Sequence, residues 1–224
     1  MWFLSPGLII GVLLFSDAVA NFDPVEALRQ HREAQTEAER LAEEDRQRQI
    51  DEAYQRFLTI ASSRYEIASG HSGVVVDRRS RLQWMRCSMG QHWDGQNCTG
   101  VPSVLNWTDA VLIPDLFNEQ GGYAGHTDWR IPTLDELQGL VFCSNDQSRT
   151  PVLDLEQGCS LETPYLRPTM VPDLFPQTPR DWFWTATADT TEAGRVWALN
   201  FSFGHGTHYP QEATFRLRLV RGGR

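Results

Sequence analysis

Hydrophobic and polar positions change rhythm twice along this chain. From residue 23 to residue 63 the composition is Ala, Glu, Gln and Arg, with no Gly and with Pro only at position 24, which predicts one long helix. Asp23 suits the N-cap, Pro24 the first helical position, and Glu26 follows three residues after the cap. Leu28, Ala38, Leu41, Ile50, Tyr54, Phe57, Leu58 and Ala61 make an apolar stripe that is interrupted at residues 43–49, all of them polar. Glu44 with Arg48 and Glu52 with Arg56 stand in the favourable order for helical ion pairs. Two readings of this helix stand side by side. One is a charged stem at residues 21–63 that forms a homo-oligomer through residues 24–63. The other is a solvated helix whose Phe57 end packs on its own domain.

A linker at 64–72 precedes a globular domain at 73–224, where the rhythm becomes alternation. Residues 74–76 and 82–85 read as a hairpin with Trp84 on the buried face. Residues 87–100 are turn-rich, and Asn106 caps a helix over 107–118 that Pro114 kinks or shortens. Residues 128–137 read as a strand end, a turn at Pro132 and a helix opening on a capping box formed by Thr133 and Glu136. Trp129 and Ile131 point to the core, with Leu134, Leu137, Leu140 and Val141 at helical spacing beyond them. Arg130 faces the other way and pairs with a carboxylate, Asp109 or Glu136. Residues 143–180 carry no sustained period.

Strands return at 182–187, 195–203 and 213–220, giving an antiparallel sheet. Trp197, Leu199 and Phe201 share one face, as do Phe215, Leu217 and Leu219. The opposite face of the last strand carries Arg216 and Arg218, which gather with Arg221 and Arg224 into a local basic group. Residues 202–210 read as a Gly-rich turn that presents His205, His208 and Tyr209.

Charge and cysteine usage narrow the function. The net charge of −9 argues against a nucleic-acid partner, and all 20 cationic side chains are Arg. Residues 1–20 resemble a secretory leader, with an apolar run at 8–15 and Ala18-Val19-Ala20 before the cleavage point. That run is too short for a span of about 20 residues, so no membrane span remains after cleavage. No Lys or Arg precedes it, so an uncleaved anchor stays open. Four Cys in an exported chain read as two disulfides. Three pairings exist, and proximity favours Cys87 with Cys98 and Cys143 with Cys159. Zinc is disfavoured because no Cys-x-x-Cys occurs and only His92 stands near a Cys. Asp146, Asp154, Glu156 and Glu162 are oxygen donors that suit a hard cation or simply solvate a loop. No Gly-x-Ser-x-Gly or His-Glu-x-x-His motif occurs, so no catalytic set, metal or cofactor is assigned.

Asp77, Leu82-Gln83-Trp84-Met85, the run from Cys87 to Gly95 with Cys98, the helix start at 106–110, residues 128–137, Phe183 to Thr187 and Arg218 to Gly223 recur in an order that resembles one family. It is the C-terminal domain of bacterial collagen-like adhesins, Lcl_C. The resemblance covers residues 73–223 and implies an α+β fold, an irregular C-type-lectin-like domain related to the formylglycine-generating enzyme, with small antiparallel sheets and two helices. The long N-terminal helix precedes it. The resemblance also implies binding, since the best-known relative displays this domain on a trimeric stalk and binds sulfated glycosaminoglycans. This chain departs from that relative in having no collagen repeat and a net acidic domain.

The combined expectation is an exported, non-catalytic, lectin-like recognition domain in the periplasm or on the surface of a bacterium. Its partner is a glycan or an envelope protein, and its ligand surface is Asn200, His205, His208, Tyr209, Arg216 and Arg218. The alternative is a structural or assembly module of an envelope complex. Trp84, Trp129, Arg130, Pro132, Thr133 and Glu136 are assigned to the scaffold.

Overall fold

The computed structural model describes residues 22–144, 155, 157–162 and 165–223. The leader, with Asp146, Asp154 and Glu156, lies outside the described residues. The chain divides into two compact units, 1–48 and 49–224, and helix α1, Pro24–Arg64, runs through the boundary.

In the first unit α1 opens as its cap predicts: the amides of Val25 and Glu26 donate to the Asp23 carboxylate at 2.9 and 3.3 Å. Its surface carries pairs such as Arg29 with Glu26 at 2.7 Å and Arg40 with Glu37 at 2.6 Å. Fully solvated pairs of this kind add little to stability. Phe22, Val25, Leu28 and Leu41 are exposed.

In the second unit the remainder of α1 is docked. Ala53 and Ala61 are buried, Tyr54 and Leu58 pack against the core, and the Tyr54 hydroxyl donates to Asp173 at 2.8 Å. The Phe57 side chain is outside the described ones. Residues 49–64 are therefore part of the domain, so a free stem over all of 21–63 does not fit the structure.

The segment read as a linker also belongs to the domain. Strand β1, Tyr65–Ile67, follows α1 directly and pairs antiparallel with β2, Val74–Asp77, with Tyr65 buried. Three residues are too few for alternation to register. The sheet continues through β3, Leu82–Met85, to β11, Val220–Gly222, and the β2–β3 hairpin buries Trp84 as its pattern predicts. A small hairpin, β4 at His92–Trp93 and β5 at Cys98–Thr99, is closed by the Cys87–Cys98 disulfide. Strand β6, Leu105–Asn106, leads into α2, Trp107–Ala110, and α3, Ile113–Glu119. These are the single helix read over 107–118, broken just before Pro114. Helix α4, Leu134–Gln138, opens on the predicted capping box.

The central sheet is β7, Trp182–Ala188, then β8, Arg195–Asn200, then β9, His205–Pro210. A core cluster packs on each of its faces. Phe183 and Leu199 join Trp84, Leu134, Leu137, Leu140 and Phe201 on one side. Trp184, Val196 and Ala198 join Trp129, Ile131, Phe215, Leu217 and Leu219 on the other. Strand β9 corrects the Gly-rich turn read at 202–210: only the stretch between Asn200 and His205 turns, and His205 to Pro210 pair in full register with β8. Gly206 and Pro210 hid that strand.

The last strand read at 213–220 is likewise two. Strand β10, Thr214–Phe215, pairs with β6, and β11 pairs with β3. Between them the backbone serves several neighbours, accepting from Trp184 at Arg216, from Met89 at Leu217 and from Met85 at Leu219. No helix among the described residues is long and apolar enough to cross a membrane.

Candidate functional site

The scaffold stretch is built as its residues predict. The Glu136 amide donates to the Thr133 hydroxyl at 3.3 Å, and the Thr133 amide donates to the Glu136 carboxylate at 2.8 Å. Both guanidinium amines of Arg130 donate to the same carboxylate at 2.7 Å. Of the two carboxylates open to Arg130, Glu136 is the partner, while Asp109 accepts from Asn106. Trp129 is buried, and the Pro132 carbonyl accepts from Ala186 at 2.7 Å, tying the turn to β7. These groups hold the central sheet in place.

On that sheet, pairing decides which candidate residues meet. Trp182 lies opposite Asn200, and Asn200 opposite His205. Side chains alternate along a strand, so Trp182, Asn200, His205, Thr207 and Tyr209 share one face. The Trp182 ring is the centre, with its centroid 4.9 Å from His205 and 4.9 Å from Tyr209. Phe203 continues the aromatic row, 5.7 Å from His205, and Arg167 lies over Phe203 at 4.7 Å. Trp182, His205, Tyr209 and Phe203 all stay partly exposed. Burial holds the His205 imidazole below its ordinary value and pushes the Tyr209 hydroxyl up. His205 is thus neutral at neutral pH, able to donate from one nitrogen and accept at the other.

Arg216 bridges Phe183 and so projects from the face opposite Trp182, donating from Nε to Asp181 at 3.0 Å and from Nη1 to the Pro102 carbonyl at 2.5 Å. The pair offers a fixed guanidinium and a carboxylate side by side. Asn200 is nearly buried and spends its side-chain oxygen on the Ser202 amide at 2.7 Å, so it shapes the turn into β9.

Two further candidate residues do not join the aromatic face. His208 projects from the opposite face of β9, where its Nδ1 meets the Asp189 carboxylate and its ring stacks on Trp197 at 5.5 Å. Arg218 is fully buried, which overturns its placement on a ligand surface. It donates to the carbonyls of Met85 and Arg86 and to the hydroxyls of Ser88 and Thr178, beneath the rings of Phe175 and Phe183. Burial pushes its guanidinium down to about 9, which leaves it protonated at neutral pH. Of the basic group read around it, Arg216 pairs with Asp181 and Arg221 with Asp128, and Arg224 lies outside the described residues.

Trp182 and Phe203 were missed as candidate residues. Strand parity carries the signal for Trp182, but only once β9 is known to be a strand. Among the described residues no group of His, Cys, Asp and Glu is placed to hold a metal ion.

No curated protein matches the chain. The Lcl C-terminal domain matches residues 73–221, which take in every strand from β2 to β10, all three short helices and the aromatic face. This match covers well over half of the sequence, and the chain belongs to the Lcl C-terminal domain family.

Proposed function

We propose that this protein is an exported, non-catalytic recognition protein that binds glycans on the aromatic face of β9. The observation that carries the reading is the row of partly exposed rings, Trp182, His205 and Tyr209, on one face of the central sheet. Sugars present C–H faces that stack on aromatic rings and hydroxyls that the imidazole of His205 and the phenol of Tyr209 can hydrogen-bond. A binding role rather than catalysis is favoured because His205 and His208 stand on opposite faces of one strand and cannot act on one substrate. Two disulfides accord with export.

The test is a glycan array probed with the wild-type chain and with Trp182→Ala, Tyr209→Ala and His205→Ala variants. Each variant is expected to weaken binding by about tenfold or more while the far-ultraviolet circular dichroism stays native. Unchanged binding in all three would place the ligand elsewhere. A second reading, an assembly module of a bacterial envelope complex, draws on the docking of residues 49–64 against the domain. A protein that binds no glycan and sediments as a monomer would favour that reading.

A further inference from the structure

Helix α3 is apolar on two sides. Its inner side is satisfied: Pro114 is buried, and Ile113 and Phe117 pack against the cluster containing Trp129 and Phe215. On the outer side Leu112, Asp115, Leu116 and Glu119 follow one another at spacings of three and four residues, and all four are exposed. Leu112 keeps 55% and Leu116 50% of its surface in water. Val111 adjoins them in the turn from α2 at 38%, and the segment leading into α2 adds Val104 at 50% and Val101 at 82%. Five large aliphatic side chains so exposed within one short stretch mark a contact surface, because apolar surface kept in water forgoes the stabilisation of burial.

The charge around these residues says what covers them. Residues 87–129 contain no Arg, although the protein has 20 cationic side chains. They hold five carboxylates: Asp94, Asp109, Asp115, Glu119 and Asp128. Asp128 is taken by Arg221 and Asp94 caps its own turn. Asp109, Asp115 and Glu119 remain exposed on α2 and α3 with no ion-pair partner among the described residues. An anionic lipid surface would be repelled. So would the N-terminal helix of a second copy, since residues 22–48 carry eight carboxylates against five Arg.

We propose that the outer face of α2 and α3 docks a cationic amphipathic segment of a partner protein, with aliphatic side chains against Val111, Leu112 and Leu116 and Lys or Arg against Asp109, Asp115 and Glu119. The surface is independent of the glycan face. Leu112 and Leu116 stand one helical turn apart on it, and its acidic rim steers a basic partner towards it.

The test titrates the full chain with a synthetic amphipathic helical peptide of Leu and Lys, followed by fluorescence anisotropy. The expected result is binding that weakens with added salt. Joint Leu112→Gln and Leu116→Gln substitution lowers affinity by about tenfold or more. Joint Asp115→Asn and Glu119→Gln substitution removes most of the salt dependence. All four side chains face solvent, so thermal melts of the variants should match the wild type. The proposal is overturned if the peptide does not bind or if the Leu variant binds it as tightly, the mark of general attraction to an acidic chain. It is also overturned if a Leu and Glu peptide binds equally, or if the wild type self-associates and the Leu variant does not, which would assign the face to a second copy.

Discussion

Arg130 reaches across the turn at Pro132 to the carboxylate that caps α4, and it also donates to the Gly222 carbonyl at 3.1 Å. Burial alone would raise the Glu136 carboxyl, but Arg130 and the Thr133 amide outweigh it and hold the group below its ordinary value. Asp77 behaves alike, with burial opposed by Arg64 at 2.6 Å and the net shift downward. A depressed folded-state value means stability that is fully present above the unfolded pKa and is lost as pH falls through the folded one. Both carboxylates therefore make the fold acid-sensitive below about pH 4. We expect Arg130→Met to cost about 1–2 kcal/mol near neutral pH and to shrink the acid loss, because Glu136 then has less to lose on protonation. Melting temperatures measured from neutral pH downward check this. A variant with wild-type stability and an unchanged acid profile would remove Arg130 from the scaffold. The pairing of Arg130 was legible because its partner lies six residues away and belongs to a recognisable capping box. Arg218 was not legible. The alternation from Phe215 to Leu219 reads as a strand with one wet face, and the residues that dry that face, Phe175 and Thr178, come from the loop some 40 residues earlier.

The same distinction between local and distant causes holds for whole elements. Helix α1 was evident from composition, and the β2–β3 hairpin and α4 from alternation and capping, because each signal is written within the element. Where α1 stops being a solvated rod is decided by contacts with Asp173 and the core that no helical pattern announces. Strand β9 was hidden for a similar reason: its partner β8 supplies the regularity that His-Gly-Thr-His-Tyr-Pro lacks, and the aromatic face escaped notice with it. The division of α1 makes a sharp prediction. A chain beginning at residue 49 should melt with the wild type, because everything removed lies in the first unit. A chain beginning at residue 65 loses Ala53, Tyr54, Leu58 and Ala61 from the core and the Arg64–Asp77 pair. It should lose on the order of 3 kcal/mol or more, or fail to fold. Thermal melts by circular dichroism separate the two, and equal stability of both truncations would show that 49–64 adds nothing.

Across the domain, the two disulfides staple parts of different consequence. Their closed loops are similar, with sequence separations of 11 for Cys87–Cys98 and 16 for Cys143–Cys159. Chain entropy assigns each a stabilisation of about 3 kcal/mol. Their surroundings differ. Cys87–Cys98 closes the β4–β5 hairpin, whose Trp93 stacks on Arg86 and bonds Ser72. Cys143–Cys159 fastens its loop to the β8–β9 turn. The Cys159 amide donates to the Phe203 carbonyl at 2.7 Å, and the Gly206 amide donates to the Leu155 carbonyl at 2.8 Å. A Cβ added at Gly158 would fall 2.4 Å from the Phe203 carbonyl oxygen, so this approach admits only glycine. Phe203 and His205 lead directly into the aromatic face, and the second staple therefore steadies the side chains proposed to hold the glycan. Replacing Cys143 and Cys159 by Ala should lower stability, speed hydrogen exchange at Gly206 and weaken glycan binding together. Replacing Cys87 and Cys98 by Ala should lower stability by a similar amount and leave exchange at Gly206 and binding near wild type at temperatures where the domain stays folded. If both pairs affected Gly206 and binding equally, the staples would act only through global stability and the link between the loop and the β9 face would fail.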